Sequence, residues 1–408
     1  MKKSILIYYI LFICIFSYLP KSVETVGFIL FILYAIYYIW YKQNIIRGAF
    51  TMSVETRRLS MLFICFVLIA SFYFFLSFLN LPRLWNIHGL GYKMSYQPRH
   101  FFIIAELFIP IALSYEVFLL KPYHRLRLSF LIPFGLLLFF INSDLCVKGL
   151  LLIAITIVAW KCHSKILMLP AFFLNLEQSA YILGFLAMMI LLLFERVIIS
   201  YLNKNTTLKI VTIMFVAIVG IFLSYGIMMV YIKSDPNSLW RLSVWINEFE
   251  SLSKTWFTGV GFGSAYVTKD IIHQVTNSNM YTINVEGGLE SGIYLVANHS
   301  SLLNMFYRMG IVGGLAFLAL NVQLIRVVVK TYQQATPKMR SLLWYLFAVF
   351  IYETIIIALN PGLEMMQFAL SYILSVSFLL GVIYDIQAQL IYNLKVSQNE
   401  IINNRSSL

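Results

Sequence analysis

Runs of about 20 apolar residues recur from one end of this 408-residue chain to the other, the length needed to cross a hydrocarbon core about 30 Å thick. Inside such a core each spanning segment must satisfy its own backbone N–H and C=O groups, which leaves helices or closed barrels. The ten-residue alternation of barrel strands is absent, so the runs read as helices. Composition agrees: 61% of residues are hydrophobic and 12% charged, against about 45–50% and about 25% in soluble domains. The expected fold class is an all-α polytopic integral membrane protein.

Spans are expected over 4–20, 24–42, 59–81, 101–120, 126–142, 145–160, 165–177, 179–199, 207–232, 302–329, 341–360 and 364–384. The seventh is short, and with the eighth it reads equally as one re-entrant hairpin, so the count is about 11 or 12. With a cytoplasmic N-terminus, the loops on the inner side carry Lys42, Arg47, Arg57 and Arg58, then Lys121, Arg125 and Arg127, then Lys161 and Lys165. Lys204 and Lys209 follow, and finally Arg326, Lys330, Lys338 and Arg340. Every inner loop is basic, as the positive-inside rule requires. Omitting the seventh span breaks that agreement downstream, so about twelve transmembrane helices with both termini cytoplasmic is the expected topology.

The chain then divides into helices one to nine (1–232), a periplasmic loop with an amphipathic helix (233–300), helices ten to twelve (301–384) and a short polar cytoplasmic tail (385–408). A loop as long as 233–300 is too long for a connector, and its aromatics and glycines predict that it is folded. The net charge of +13 lies in short loops rather than on a soluble basic face, which argues against nucleic acid as a partner. Lys2-Lys3 precede an apolar run with no small-x-small cleavage site, which reads as an uncleaved first helix. Cys14, Cys65, Cys146 and Cys162 form no CxxC pair, so neither a zinc site nor a disulfide framework is indicated.

The long loop holds most of the residues that carry chemistry. Leu239, Leu242, Trp245, Ile246, Phe249 and Leu252 share one face at helical spacing. Arg241 lies beside that face, either as a snorkelling arginine of an interfacial helix or as a bidentate phosphate ligand. His299 stands just before a span, between Asn298 and Ser300. It is either an interfacial residue or a neutral imidazole that takes a proton from a hydroxyl nucleophile. His273 has no comparable setting. Gly259-Val260-Gly261-Phe262-Gly263 lacks the βαβ context of a dinucleotide site, so its glycines are expected to permit a tight turn after the amphipathic helix. Lys148 and Arg99-His100 stand at outer span ends, where snorkelling explains each singly and a shared anionic headgroup explains them together. Glu106, Glu353 and Glu364 are intramembrane or span-end carboxylates, the feature that most favours a transporter.

In their order these elements resemble the O-antigen ligase/polymerase superfamily of bacterial inner-membrane glycosyltransferases. The matching residues are Arg241-x-x-x-Trp245, Thr258 to Gly263, His299-Ser300 with Leu303, and Arg308-Met309-Gly310-Ile311-Val312-Gly313. Two positions differ from the usual pattern. Ser300 stands where Asn more often follows the His, and Lys148-Gly149 stands where Ser-Arg-Gly often opens an inner span. The resemblance implies metal-independent, cofactor-free transfer of glycan from an undecaprenyl diphosphate carrier to a sugar hydroxyl at the periplasmic face. It implies catalytic roles for Arg241 and His299 and substrate contact for Arg99, Lys148 and Arg308. The implied partners are the undecaprenyl-diphosphate-linked oligosaccharide, membrane lipid and, for a polymerase, a protein that regulates chain length. A polymerase accepts a second lipid-linked repeat unit, and a ligase accepts lipid A-core. The segment Asn298 to Asn304 favours the polymerase. A carrier built on Glu106 and Glu353 is the competing class, with the long external loop and the lack of internal repeats against it.

Overall fold

The computed structural model describes residues 33, 37, 40–41, 54–79, 109–110, 112–125, 146–169, 179–202, 245, 249–250, 253, 255–257, 259, 267–268, 293–294, 300–359, 363 and 366–406. Apart from helices and the turns between them, the described residues hold one two-residue antiparallel pairing, Val267–Thr268 (β1) with Ile293–Tyr294 (β2). The helices are α1 (Val54–Leu79), α2 (Pro122–Arg125), α3 (Cys146–Lys161), α4 (Ser179–Leu193), α5 (Glu195–Leu202), α6 (Ser301–Gln334), α7 (Pro337–Leu359) and α8 (Met366–Ser406). Residues 109–110 and 112–120 are also helical. Among the described residues three helices are long and apolar enough to cross a membrane, over Ser301–Gln334, Pro337–Leu359 and Ser371–Asn393. The expected first, fifth and ninth spans, and most of the second, lie outside the described residues.

α7 is the hub. Residues 342–350 are buried without interruption, because α3, α4, α6 and α8 all pack against this helix. Lipid tails are as apolar as leucine, so close packing rather than escape from water holds such helices together. Phe66 of α1 meets Phe317 of α6 with ring centroids 5.7 Å apart. Gly184 brings α4 onto Tyr352, where an added Cβ would lie 3.2 Å from the Tyr352 carbonyl oxygen. Gly381 does the same for α8, where a Cβ would lie 2.5 Å from Val117 Cγ1 and 3.0 Å from the Ser114 carbonyl oxygen. The α6–α7 turn is built from local chemistry. Ala335 turns extended, Pro337 opens α7 where its missing N–H costs nothing, and Arg340 donates to the terminal carbonyls of Tyr332 (3.1 Å) and Ala335 (3.2 Å).

Two elements differ from the sequence reading. The eighth span, expected to run unbroken over 179–199, is two helices, α4 and α5, with an 81° bend between them at Phe194. Glu195 opens α5 and accepts from Tyr332 Oη at 2.6 Å, with Lys165 Nζ 3.9 Å away. This polar anchor pulls the chain sideways. Of the seventh span, residues 165–169 are described, and Lys165–Met168 form a 3₁₀ turn instead of an α-helix. At the other end, the polar stretch after Tyr384 is helical. Asp385 to Ser406 continue α8 without a break.

The basic loops converge at one end of the bundle. Thr56 exchanges hydrogen bonds with Gln387 (2.9 and 2.8 Å), and Lys121 pairs with Asp385 (2.6 Å). Lys161 donates to the His124 carbonyl (2.8 Å), Trp160 Nε1 to the Lys338 carbonyl (3.1 Å), and Lys165 to the Leu192 carbonyl. Four loops assigned to one side from their charge thus bond to one another or to the polar part of α8. The opposite end carries the start of α6.

Candidate functional site

Ser300 ends the extended chain and caps α6, its Oγ accepting from the Leu303 N–H at 3.2 Å. Ser301, Asn304 and Arg308 then follow at spacings of three and four, which puts them on one face. That face is buried: Ser301, Asn304 and Arg308 are each 0% exposed. Ser301 Oγ accepts from the Leu363 N–H (2.9 Å), which ties the segment before α8 to the start of α6. Arg308 Nε donates to Asn304 Oδ1 (3.3 Å), and its guanidinium lies 5.1 Å from the centre of the Tyr307 ring. Arginine retains its charge under all conditions of interest, so a fixed cation sits within two turns of the helix start.

Two residues further α6 breaks. Gly310 takes φ 62° and ψ −164°, a region essentially reserved for glycine. The break is filled by residues 256–259 of the long loop. Ile311 N–H donates to the Trp256 carbonyl at 2.8 Å in place of a helical partner. Gly259, at φ 67°, donates to the Thr255 carbonyl (2.7 Å) and makes the tight turn expected of it. The two glycines face each other across this crossing. A Cβ on Gly259 would lie 2.4 Å from Gly310 N and 2.6 Å from the Arg308 carbonyl carbon and oxygen. A Cβ on Gly310 would lie 2.2 Å from the Phe257 carbonyl oxygen. Loop and helix therefore lock through backbone alone, immediately beside Arg308.

The rest of the loop contributes Trp245, buried at 4% exposure, and the β1–β2 pairing. Phe249, placed with Trp245 on one apolar face by helical spacing, is 48% exposed. Trp256 and Phe257, next to the crossing, are also exposed and meet edge to face at 5.6 Å. Aromatics of this kind are favoured at a membrane–water boundary.

Of the residues expected to act, Arg308 is placed at this crossing. Arg241, His299 and Arg99 lie outside the described residues. His299 is the residue directly before the Ser300 cap. Lys148 belongs to the first turn of α3, with its side chain outside the description. Glu106, Glu364 and His273 are also outside. Glu353 is 1% exposed within α7 and accepts from Ser371 Oγ of α8 at 2.8 Å. Asn304 and Ser301 were not singled out from the sequence. Their signal was the spacing of three and four that leads back from Arg308.

A second polar cluster lies at the basic end. Asp385, 1% exposed, accepts from Lys121 Nζ (2.6 Å), Gln389 Nε2 (3.3 Å) and Tyr123 Oη (2.5 Å). Burial first, and then the Asp385 carboxylate, push the Tyr123 hydroxyl well above its ordinary range. His124 is held below the usual imidazole value, first by desolvation and then by the lysines at 338, 121 and 161, against the opposing pull of Asp385. No family model and no curated protein matches this chain.

Proposed function

We propose that this chain is an O-antigen polymerase of the bacterial inner membrane, joining undecaprenyl-diphosphate-linked repeat units at the periplasmic face. The observation that carries the reading is the Gly259–Gly310 interlock, which holds the long loop against the buried Arg308 in the first turns of α6, the helix whose cap, Ser300, follows His299 in the chain. It ties together in space the Gly259 and Gly310 elements of the resemblance, some 50 residues apart in the chain. A reaction on a lipid diphosphate needs fixed cations near the leaving group and a base near the acceptor. This corner has one buried cation, Arg308, and the helix that carries it begins just after His299 in the sequence.

In the proposed reaction the acceptor sugar hydroxyl attacks the anomeric carbon, and the bond from that carbon to the diphosphate oxygen breaks. The hydroxyl proton passes to His299, and undecaprenyl diphosphate leaves as the anion. Arg241, aided by Arg308, stabilises the charge that grows on the leaving oxygen. Removing such a preorganised donor typically costs a rate factor of about 10²–10³. Removing a general base costs about 10²–10⁴. Arg99 and Lys148 are assigned to the diphosphate, and the apolar surface of the bundle to the polyprenyl tail. The topology in this reading has about twelve spans, the 233–300 loop outside and both termini inside.

The test is the lipopolysaccharide pattern of a deletion strain complemented with wild type, Arg241→Ala or His299→Ala at equal membrane levels. A single-repeat band that only wild type extends to a ladder is the expected result. Bare core with polymer retained on its carrier lipid makes the protein a ligase. A normal ladder in the deletion strain removes it from this step and returns the carrier reading, in which Glu353 is the residue to replace.

A further inference from the structure

Beside the Asp385 cluster, at the end of the bundle opposite the proposed active site, lies an open cavity of 410 Å³. Phe118, Leu119 and Lys121 line one side, and Gln389, Tyr392 and Asn393 of α8 the other. Lys121 is held there by two devices. Its backbone takes φ 45°, unusual for a residue with a side chain, with its N–H on the Val117 carbonyl (2.9 Å) and its carbonyl accepting from His124 (3.0 Å). Its ammonium is fixed by the buried Asp385 at 2.6 Å, while the side chain as a whole stays 42% exposed.

The chemistry of the cavity favours an anion. A lysine has three N–H donors, and Asp385 takes one, which leaves two for the cavity. Asp385 itself offers little to a cation, because Oδ1 already accepts from Lys121 and Gln389 and Oδ2 from Tyr123. The amides of Gln389 and Asn393 and the phenol of Tyr392 supply neutral donors around Lys121. Leu119 is 44% exposed and Tyr392 68% exposed, which gives the mouth an apolar and an aromatic wall at the level where the basic loops meet. Basic pockets between helices at such a boundary are suited to phosphate headgroups.

We propose that this cavity is a phosphate-binding site with Lys121 as its cation, taking the phosphate of an anionic lipid headgroup or of a soluble phosphate compound. The site is independent of the glycosyl transfer proposed above and lies at the other end of the molecule.

The experiment uses the purified full-length chain, stripped of lipid in detergent. Native mass spectrometry follows titration with phosphatidylglycerol and, separately, phosphatidylcholine; ³¹P line broadening follows inorganic phosphate. Preferential binding of phosphatidylglycerol, weakened about fivefold in Lys121→Met as expected for the loss of one interfacial lysine, establishes the site and the lipid as its source. Broadening of inorganic phosphate that Lys121→Met relieves, without preference between the two lipids, establishes the site with a soluble source. Lys121→Met leaves a buried carboxylate unpaired, so Asn393→Leu and Tyr392→Leu are measured beside it with the Lys121–Asp385 pair intact. Each is expected to weaken binding of whichever probe the wild type takes. Absence of binding by both probes, or wild-type binding in the folded variants, overturns the proposal.

Discussion

At the scale of single residues, the crossing of Gly259 and Gly310 is the point where one added atom matters most. Gly310 combines a positive φ with ψ −164°, and the backbone cost of a non-glycine residue there is about 1–3 kcal/mol. The added Cβ would also meet the Phe257 carbonyl oxygen at 2.2 Å, an atom of the main chain that cannot rotate away. Gly310→Ala is therefore expected to lower the thermal midpoint of the purified protein and to shorten or abolish the polysaccharide ladder. Gly259→Ala acts on the same contact, so the double variant should fall short of the summed effects of the two single ones. A Gly310→Ala protein as stable and active as wild type would show that the interlock is not needed. The glycines were legible in the sequence, and so was the tight turn at Gly259, because both follow from residue type. Their partnership was not. It joins main-chain segments some 50 residues apart, and hydrophobic periodicity carries no record of which backbone approaches which.

At the scale of elements, apolar length predicted the positions of α1, α3, α6 and α7 to within a few residues at most ends, since burial in lipid depends mainly on composition along the chain. Direction is a different matter. The bend between α4 and α5 falls inside Leu191-Leu192-Leu193-Phe194, with no proline or glycine to announce it. Its visible cause is the bond from Tyr332 to Glu195, which comes from a helix far along the chain. The Lys121–Asp385–Tyr123 cluster was hidden for the same reason, Asp385 being more than 260 residues from the other two. Helix contacts mediated by small residues can nevertheless be tested one position at a time. Gly381→Leu places a side chain 2.5 Å from Val117 Cγ1, and overpacking of this kind costs about 1–3 kcal/mol. The variant should unfold at lower temperature, and Val117→Ala should recover part of the loss by vacating the space. Failure of that recovery, or an unchanged midpoint in the single variant, would mean that α8 does not depend on this approach.

At the scale of the whole molecule, charge and packing bear on one question from independent directions. The positive-inside rule reads only loop composition, and it assigned the loops around Arg57, Lys121, Lys161 and Lys338 to one side. The hydrogen bonds that join Thr56 to Gln387, Lys121 to Asp385, Lys161 to the His124 carbonyl and Trp160 to the Lys338 carbonyl bring those loops to one end. Arg308 and the glycine interlock lie near the start of α6, and α6 runs from there toward the basic end, where Tyr332 meets Glu195. Even past the break at Gly310, the 24 residues left in α6 extend about 36 Å, enough to cross the hydrocarbon core. Single cysteines placed in a cysteine-free background at Lys338 and at Ser253, both exposed, report the two ends. A membrane-impermeant maleimide should label Ser253→Cys in intact spheroplasts, and Lys338→Cys only after the membrane is opened. Labelling of both positions from outside would deny that the bundle separates the two ends. The reverse pattern would put Arg308 and the start of α6 at the cytoplasmic face, where transfer between lipid-linked units outside the membrane cannot occur. That result would exclude the proposed reaction whatever the catalytic variants did.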